Sequence, residues 1–183
     1  MGSRYDDELW ELVPDEPGAP PPHLLAFVRS LGRADAALDL GCGDGRLTAE
    51  LDARELTAAD VSAVALERAA RRLPHARVVE LEPDAALPLA DNSLDLVLCA
   101  ETIEHVRDVQ LFLSEVRRVL RPGGRLALTT PAARPLERPA DPLSPHLRRF
   151  TRRSLSGLLA DQGFEVEMLS RRAATLLVRA LRP

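Results

Sequence analysis

Three glycines spaced two residues apart follow a short apolar run in the first quarter of the chain. Residues 36–40 predict a buried strand, and Gly41, Gly43 and Gly45 come directly after it. Glycine permits the tight backbone bends and the close ligand approach that such a turn requires. We expect a helix to open near Arg46 and to point its free amide groups into the crevice above the strand. This arrangement favours the binding of a nucleotide-type cofactor.

An acidic residue closes the next predicted strand. Asp60 stands 19 positions after Gly41, where a carboxylate can accept hydrogen bonds from both ribose hydroxyls of a bound nucleoside. The alternative role for Asp60 is the N-cap of the following helix, a position that Ser62 could fill better. We therefore favour ribose binding.

Features that the glycine turn lacks narrow the choice of cofactor. A phosphate-binding P-loop requires Gly-Lys-Ser/Thr, and the chain contains no lysine. A dinucleotide-binding turn has its third glycine three positions after the second, where Arg46 stands here. Asp39 and Asp44 add negative charge that repels a pyrophosphate and attracts an ammonium and a sulfonium. S-adenosylmethionine, which carries both cations, fits better than NAD or ATP.

Six ordered segments resemble the class I S-adenosylmethionine-dependent methyltransferases, of the type 11 and type 12 kind that includes ubiquinone-pathway O-methyltransferases. The segments are residues 38–45, 60–62, 83–88, 91–98, 120–126 and 150–155, the last leading to Gly163 and Phe164. The resemblance runs from about residue 34 to the C-terminus. It implies S-adenosylmethionine as the cofactor, S-adenosylhomocysteine as its product, and methyl transfer as the activity.

The resemblance also implies which residues contact the cofactor. They are Asp39, Gly41, Cys42, Gly43, Gly45, Asp60, Val61, Asp84, Ala85 and Ala100. Asp39 is a candidate indirect partner of the ammonium. Asp84 and Ala85 resemble the pair that reads adenine, in which the carboxylate accepts from the exocyclic amine and the backbone amide donates to a ring nitrogen. Glu82-Pro83 precedes this pair where glycine is common in relatives, which leaves the path of the loop open.

Acidic and imidazole side chains follow the fourth predicted strand. Glu101, Glu104 and His105 share one face if a helix forms there, and His146 stands in a loop expected above the same crevice. The four could bind a divalent cation, in an arrangement similar to the metal site of RNA 3′-end 2′-O-methyltransferases. Alternatively, His105, His146 and Glu101 are catalytic without metal, a histidine acting as general base for a hydroxyl. A purely structural role is the third possibility.

Arginines crowd the connection between the fifth strand and the next helix. They are Arg134, Arg138, Arg148, Arg149, Arg152 and Arg153. Such a group favours an anionic acceptor, either a carboxylate or a phosphate backbone, and the alternative is a solvated surface. Phe150 is the only aromatic residue among them, which weakens an interpretation as a single-stranded RNA site.

The elements that must position these residues alternate along the chain. The pattern predicts helices at 23–31, 46–53, 62–72, 108–120 and 151–162, and strands at 36–40, 55–59, 76–81, 94–99, 125–130, 164–170 and 173–181. Such alternation predicts an α/β, Rossmann-like, doubly wound sheet of seven strands with helices on both faces. The short final connection makes the last strand antiparallel. Ligands of such sheets lie beyond the carboxyl ends of the strands, where the winding reverses.

The length of 183 residues suits one domain, and we expect it at residues 23–183. Residues 1–22 are acidic and end in a proline-rich run, which predicts an N-terminal arm that is extended at that end. The arm is either disordered or, because it holds the only tryptophan, Trp10, a docked lid. Two cysteines without ligand or disulfide spacing, no leader pattern and no long uncharged apolar run predict a cytoplasmic protein without a membrane segment.

The leading functional hypothesis is methyl transfer to a small-molecule acceptor, with an oxygen acceptor slightly preferred. Alignment of donor and acceptor supplies much of the acceleration in this chemistry, so an obvious base is not required. A metal-dependent RNA 3′-end 2′-O-methyltransferase is the second hypothesis, with RNA as partner. A cofactor-binding regulatory or partner protein without transfer activity is the third. The sequence leaves the acceptor open, and also the choice between monomer and homodimer.

Overall fold

Residues 3–15, 17–133 and 146–183 are described by a computed structural model. The helices are α1 (Ser3–Leu12), α2 (Pro22–Arg29), α3 (Ala63–Arg72), α4 (Val109–Val119) and α5 (Arg152–Asp161). The strands are β1 (Ala34–Leu40), β2 (Ala53–Asp60), β3 (Arg77–Glu80), β4 (Leu94–Ala100), β5 (Leu120–Pro131), β6 (Glu165–Arg172) and β7 (Thr175–Leu181).

The seven strands form one sheet in the order β3-β2-β1-β4-β5-β7-β6. Strands β1 to β5 pair in parallel, whereas β7 is antiparallel to both β5 and β6. The predicted doubly wound sheet with its antiparallel last strand is therefore confirmed. The chain winds outwards from β1 to β3 and then returns to place β4 on the other side of β1. The winding thus reverses between β1 and β4, where sheets of this type bind ligands.

Strand β4 illustrates why the sheet forms. Its apolar run is buried on both faces, as expected of a central parallel strand. Leu96 and Leu98 pack towards a cluster that includes the buried side of α2, and Val97 and Cys99 pack towards the cluster built by α4 and α5. Helix α3 packs over β2 and β3. Helices therefore cover both faces of the sheet.

The predicted helix at 46–53 is wrong, because only a 3₁₀ turn, Thr48–Glu50, forms there. The Arg46 amide, expected to be free, lies 3.4 Å from a carboxylate oxygen of Asp44. The Thr48 side chain is buried and bonded to β1, and Ala53 already begins β2.

No helix was predicted within residues 1–22, but Ser3–Leu12 is helical. The proline-rich part, predicted to be extended, has no helix before Pro22. The irregular stretch that follows α1 is tied to α3 by Arg68, which donates to the carbonyl of Val13 at 2.9 Å. Arg46 holds the same stretch by donating to the carbonyl of Gly18. The N-terminal segment therefore packs against the elements around the glycine turn.

Within the described residues, none of the helices has the length and apolar character needed to cross a membrane.

Candidate functional site

A cavity of about 570 Å³ opens at the carboxyl ends of β1, β2 and β4. Every predicted cofactor residue except Gly45 lines it. These lining residues are Asp39, Gly41, Cys42, Gly43, Asp60, Val61, Asp84, Ala85 and Ala100. Positions far apart in sequence therefore converge on one cavity, as expected for strand ends at a winding reversal.

The glycine turn takes a backbone path that other residues rarely adopt. Gly41, Gly43 and Gly45 have φ angles of +82°, +54° and +79°, in the left-handed region that glycine enters without steric cost. A Cβ atom on Gly45 would lie 2.8 Å from the Leu73 side chain. Gly45 thus serves the packing of the turn against α3, whereas the other two form the cavity wall.

Asp60 is held in place by backbone amides of the glycine turn and of the residues that follow β2. Its Oδ2 accepts a hydrogen bond of 2.8 Å from the Gly43 amide, and its Oδ1 accepts one of 3.0 Å from the Ser62 amide. Burial raises the pKa of this carboxyl despite these bonds. Ser62 is the N-cap of α3, accepting from the Ala65 amide at 3.2 Å. The carboxylate still has lone-pair capacity for a ligand hydroxyl.

Asp39 is buried beneath the turn and only half satisfied. Its Oδ2 accepts a hydrogen bond of 2.6 Å from the Thr48 hydroxyl, whereas Oδ1 has no hydrogen-bond partner within the described ranges. Burial raises its pKa to about 7, against the Thr48 hydrogen bond, and the nearby charge of Asp60 adds to the rise. A buried acceptor without a donor fits a ligand that brings a cation. Nothing in the sequence around Thr48 signals this role.

The loop between β3 and β4 carries the predicted adenine pair. Asp84 has a φ angle of +56° and an exposed side chain at the cavity rim. The Ala85 amide donates to the carbonyl of Glu82 at 3.3 Å, a long bond within the loop. The carboxylate is therefore available to an adenine amine, but the Ala85 amide must exchange this bond to reach a ring nitrogen.

The N-terminal helix α1 contributes to the cavity wall. Asp6, Leu9 and Trp10 line it. A Cβ atom on Gly43 would lie 2.6 Å from the Trp10 ring, and the Arg68 guanidinium lies 6.0 Å from the centre of that ring. The indole therefore lies directly on the glycine turn.

Helix α1 is anchored by the neighbouring Asp7, whose carboxylate accepts from the Ser62 hydroxyl at 2.6 Å and from the Val64 amide at 3.2 Å. Asp7 thus binds the first turn of α3. None of these contacts could be deduced from the sequence, because no helix was predicted there.

The acidic and imidazole residues after β4 do not lie on a helix. Glu101 adopts a φ angle of +55°, and its amide bonds back to the Thr129 carbonyl at 3.0 Å. The chain bends at Glu101 instead of continuing as a helix. Glu101, Glu104 and His105 therefore do not share a helical face. Glu101 lies apart from the other three, its Oε1 accepting from the Thr129 hydroxyl at 2.9 Å.

Three of the four predicted metal-binding residues do come together. Glu104, His105 and His146 each offer one ligand atom within 4.8 Å of the others'. The Leu147 amide donates to the Glu104 carbonyl at 2.9 Å and so brings the His146 loop alongside. The two imidazole rings lie 4.8 Å apart between centroids. His105 also lines the cavity with Glu101.

Glu104 is fully buried behind this pair. Its Oε2 accepts from the Thr130 hydroxyl at 3.0 Å, and its Oε1 lies 3.8 Å from Nε2 of His146. Burial raises its pKa to about 7, with the negative charge of Glu101 acting in the same direction and Arg149 against it. The trio can hold a divalent cation or, without one, pass a proton between carboxylate and imidazole.

Four of the six arginines predicted to form one group lie within the described residues, and these four have different positions. Arg134 and Arg138 lie outside the described residues. Arg148 donates to the carbonyl of Arg107 at 3.0 Å and so ties its loop to the segment before α4. Arg152 and Arg153 begin α5. Among the described members, Arg149 acts electrostatically on the acidic residues at the cavity.

The chain matches a family model described as a methyltransferase domain over residues 38–128. A probable S-adenosylmethionine-dependent methyltransferase of Mycobacterium tuberculosis is 35% identical over 149 residues, which cover 78% of this chain and 54% of that protein. The malonyl-[acyl-carrier protein] O-methyltransferase of Methylococcus capsulatus is 38% identical over 155 residues, covering 77% of this chain and 56% of that protein. The chain spans about half the length of the curated relatives it matches.

A crystal structure of an S-adenosylmethionine-dependent methyltransferase from Aquifex aeolicus superimposes with a TM-score of 0.73 at 21% identity, covering 90% of this chain and 95% of that one. The fold and the family match agree with the motifs at the cavity. The chain belongs to the class I S-adenosylmethionine-dependent methyltransferases. S-adenosylmethionine is the cofactor of this family, and the buried, half-satisfied Asp39 carboxylate fits its cationic end.

Proposed function

We propose that this protein transfers the methyl group of S-adenosylmethionine to a small-molecule acceptor, with an oxygen atom as the favoured nucleophile. The observation that carries the proposal is the Asp39 carboxylate. It is buried at the base of the cavity with one oxygen lacking a hydrogen-bond partner among the described residues. A cationic amino group would satisfy this carboxylate, whereas a phosphate would be repelled by it.

Asp39, Asp60 and Asp84 would divide the cofactor between them. In this proposal Asp39 takes the ammonium, Asp60 the ribose hydroxyls and Asp84 the adenine amine. The bound cofactor supplies an electrophilic methyl group on its sulfonium. The backbone of the glycine turn would contact the cofactor, because Gly41 and Gly43 line the cavity.

His105 is the proposed general base. It lines the cavity, and His146 and the buried Glu104 stand behind it. His105 would take the proton of an acceptor hydroxyl as the oxygen attacks the methyl carbon, and the ionised Glu104 would stabilise the imidazolium. An O-methyltransferase among the relatives supports oxygen as the acceptor atom. Glu101 would contact the acceptor from the same wall.

We further infer that the N-terminal residues 1–22 act as a lid on a single methyltransferase domain at residues 23–183. The support is the contact of Trp10 with the glycine turn and the hydrogen bond from the Ser62 hydroxyl to Asp7. A cover of this kind would exclude water from the cofactor and limit the acceptor to molecules that fit the remaining opening.

The test is calorimetric titration of the metal-stripped protein with S-adenosylhomocysteine, followed by transfer from labelled S-adenosylmethionine to a panel of hydroxy and carboxylic acids. Micromolar binding that Asp60→Ala abolishes would support the proposal. Asp35→Ala is the matched control, since this exposed acid lies far from the cavity. Absence of binding in the wild type would refute the proposal, and binding without product on any acceptor would favour a regulatory or partner role.

Methylation of RNA 3′ ends with a divalent cation is the second candidate, favoured by the convergence of Glu104, His105 and His146. In that case these three residues would hold the cation and leave positions open for the terminal ribose oxygens. Added Mn²⁺, Mg²⁺ or Zn²⁺ would then be required for methylation of an oligoribonucleotide. The same oligonucleotide with a 2′-deoxy 3′ end would not react.

A further inference from the structure

Two side chains of α4, which lie outside the cavity, hydrogen-bond to the loop between β3 and β4. Leu87, within this loop, lines the cavity, and both of its backbone polar groups are bound. Its amide donates to Oε2 of Glu115 at 2.7 Å, and its carbonyl accepts from Nη2 of Arg118 at 2.9 Å. The position of a cavity residue is therefore set by α4.

Arg118 also hydrogen-bonds to residues further along the loop. Its Nη1 donates to the carbonyl of Leu89 at 2.8 Å and to a carboxylate oxygen of Asp91 at 2.7 Å. The guanidinium is also paired at both ends with Glu115, Nε to Oε1 at 2.8 Å and Nη2 to Oε2 at 2.7 Å. Two parallel bonds of this kind fix the guanidinium plane, which lysine cannot reproduce.

The first half of the loop has weaker anchors. The Leu81 amide donates to the Asp60 carbonyl at 2.8 Å where the loop begins. The next backbone bond is the 3.3 Å contact from Ala85 to Glu82. Asp84 lies between this start and Leu87, with an exposed side chain and a left-handed backbone. The place of the Asp84 carboxylate therefore depends on how firmly the loop is held beyond it.

We propose that the Glu115–Arg118 pair is a positioning device that sets the adenine selectivity of the cofactor site by fixing the loop that carries Asp84 and Leu87. Neither side chain of the pair lines the cavity, so both act through the loop and not by touching the ligand. This inference rests on the proposed function, since it assumes that adenosine occupies the cavity beside Asp84.

The experiment compares two ligands by calorimetry, S-adenosylhomocysteine and S-inosylhomocysteine, in which a ring carbonyl replaces the exocyclic amine. The wild type is expected to prefer S-adenosylhomocysteine. In Arg118→Met we expect its affinity to fall about tenfold, because several charge-assisted hydrogen bonds to the loop are lost. The ratio of the two affinities should also fall, towards one. Arg118→Lys should restore only part of the preference.

Arg117→Met is the matched control. Arg117 is the adjacent residue of α4 and reaches Gly163 on the other side, with Nε 3.5 Å from its carbonyl oxygen. It should leave both affinities unchanged. The double variant Asp84→Ala with Arg118→Met should be scarcely less selective than Asp84→Ala alone, since both changes act on the same contact. If Arg118 had only a structural role, Arg118→Met would weaken the binding of both ligands equally and leave the ratio of their affinities unchanged.

A folded Arg118→Met protein with wild-type preference would overturn the inference. If that variant does not fold, Glu115→Ala removes the acceptor of the Leu87 amide and carries the same expectation and the same contradicting result. Equal binding of the two ligands by the wild type would also overturn it, while leaving cofactor binding established. A wild type that binds neither ligand would instead refute the proposed function, and the inference with it.

Discussion

The hydroxyl of Thr48 donates a hydrogen bond of 2.6 Å to Oδ2 of Asp39 and thereby fixes a carboxylate whose other oxygen is buried and unpartnered among the described residues. The bond stabilises the ionised form, but burial outweighs it and raises the pKa of Asp39 to about 7. Without ligand, the carboxyl therefore titrates close to neutral pH. An arriving ammonium would favour its ionised form.

Binding of S-adenosylhomocysteine should strengthen as the pH rises from about 5.5 to 8. Below about pH 7 the unliganded protein holds Asp39 protonated, and the proton must leave before the ammonium binds, which costs up to about tenfold in affinity per pH unit. Calorimetry across this range checks the slope. Asp39→Asn should bind weakly with a flatter profile, and Thr48→Val should move the midpoint upwards because it removes a bond to the ionised form. A wild-type profile parallel to that of Asp39→Asn would contradict this assignment.

Glu104 predicts a second pH effect, on stability. Its pKa lies at about 7 in the folded protein and near 4.5 in the unfolded chain, so between these values the folded state binds more protons. Stability therefore falls as the pH rises through this window, by about 1–3 kcal/mol. Urea unfolding of Glu104→Gln at pH 5 and pH 8 should show a smaller loss than the wild type. An equal loss in both proteins would mean that Glu104 is ionised throughout.

The parts of the fold that the sequence could predict are those in which one local pattern decides the structure. Residues 96–100 of β4 are apolar throughout, and the Gly41, Gly43 and Gly45 spacing admits few backbone paths, so the sheet and the turn were both predictable. The helix predicted at 46–53 does not form, because its apolar pattern competes with a tertiary hydrogen bond from Thr48 to Asp39. That bond could not be foreseen from the local sequence.

Some residues of the candidate site could likewise be predicted from the sequence, and others could not. Residues at strand ends, such as Asp60, could be placed because parallel strands bring their carboxyl ends together. The contact of Trp10 with Gly43 could not, since it depends on a helix whose packing partners are more than 30 residues away in sequence. The role of Arg118 was not predicted for another reason: its bonds to Leu87 and Leu89 go to backbone carbonyls, which leave no signature in residue types.

His105→Ala should lower kcat for the identified acceptor about 100-fold or more and change KM little, because it removes the proposed general base and not a binding contact. His75→Ala is the matched control, an exposed histidine outside the cavity. Steady-state kinetics of the metal-stripped protein provide the measurement. If the stripped wild type is inactive and recovers only with added cation, and His146→Ala abolishes the recovery, the metal-dependent candidate replaces the metal-free base.

Trp10 allows the proposed lid to be observed directly, because it is the only tryptophan in the chain. Its ring lies on Gly43 beneath the Arg68 guanidinium, so a ligand entering at the glycine turn must change its surroundings. Titration with S-adenosylhomocysteine should therefore change the fluorescence with the same dissociation constant as calorimetry. Trp10→Ala should weaken binding about tenfold, since a large, partly buried aromatic wall of the cavity is lost. Leu12→Ala, on the same helix but 82% exposed, should not. Unchanged fluorescence at saturating ligand together with wild-type affinity in Trp10→Ala would leave α1 as a fixed wall and not a lid.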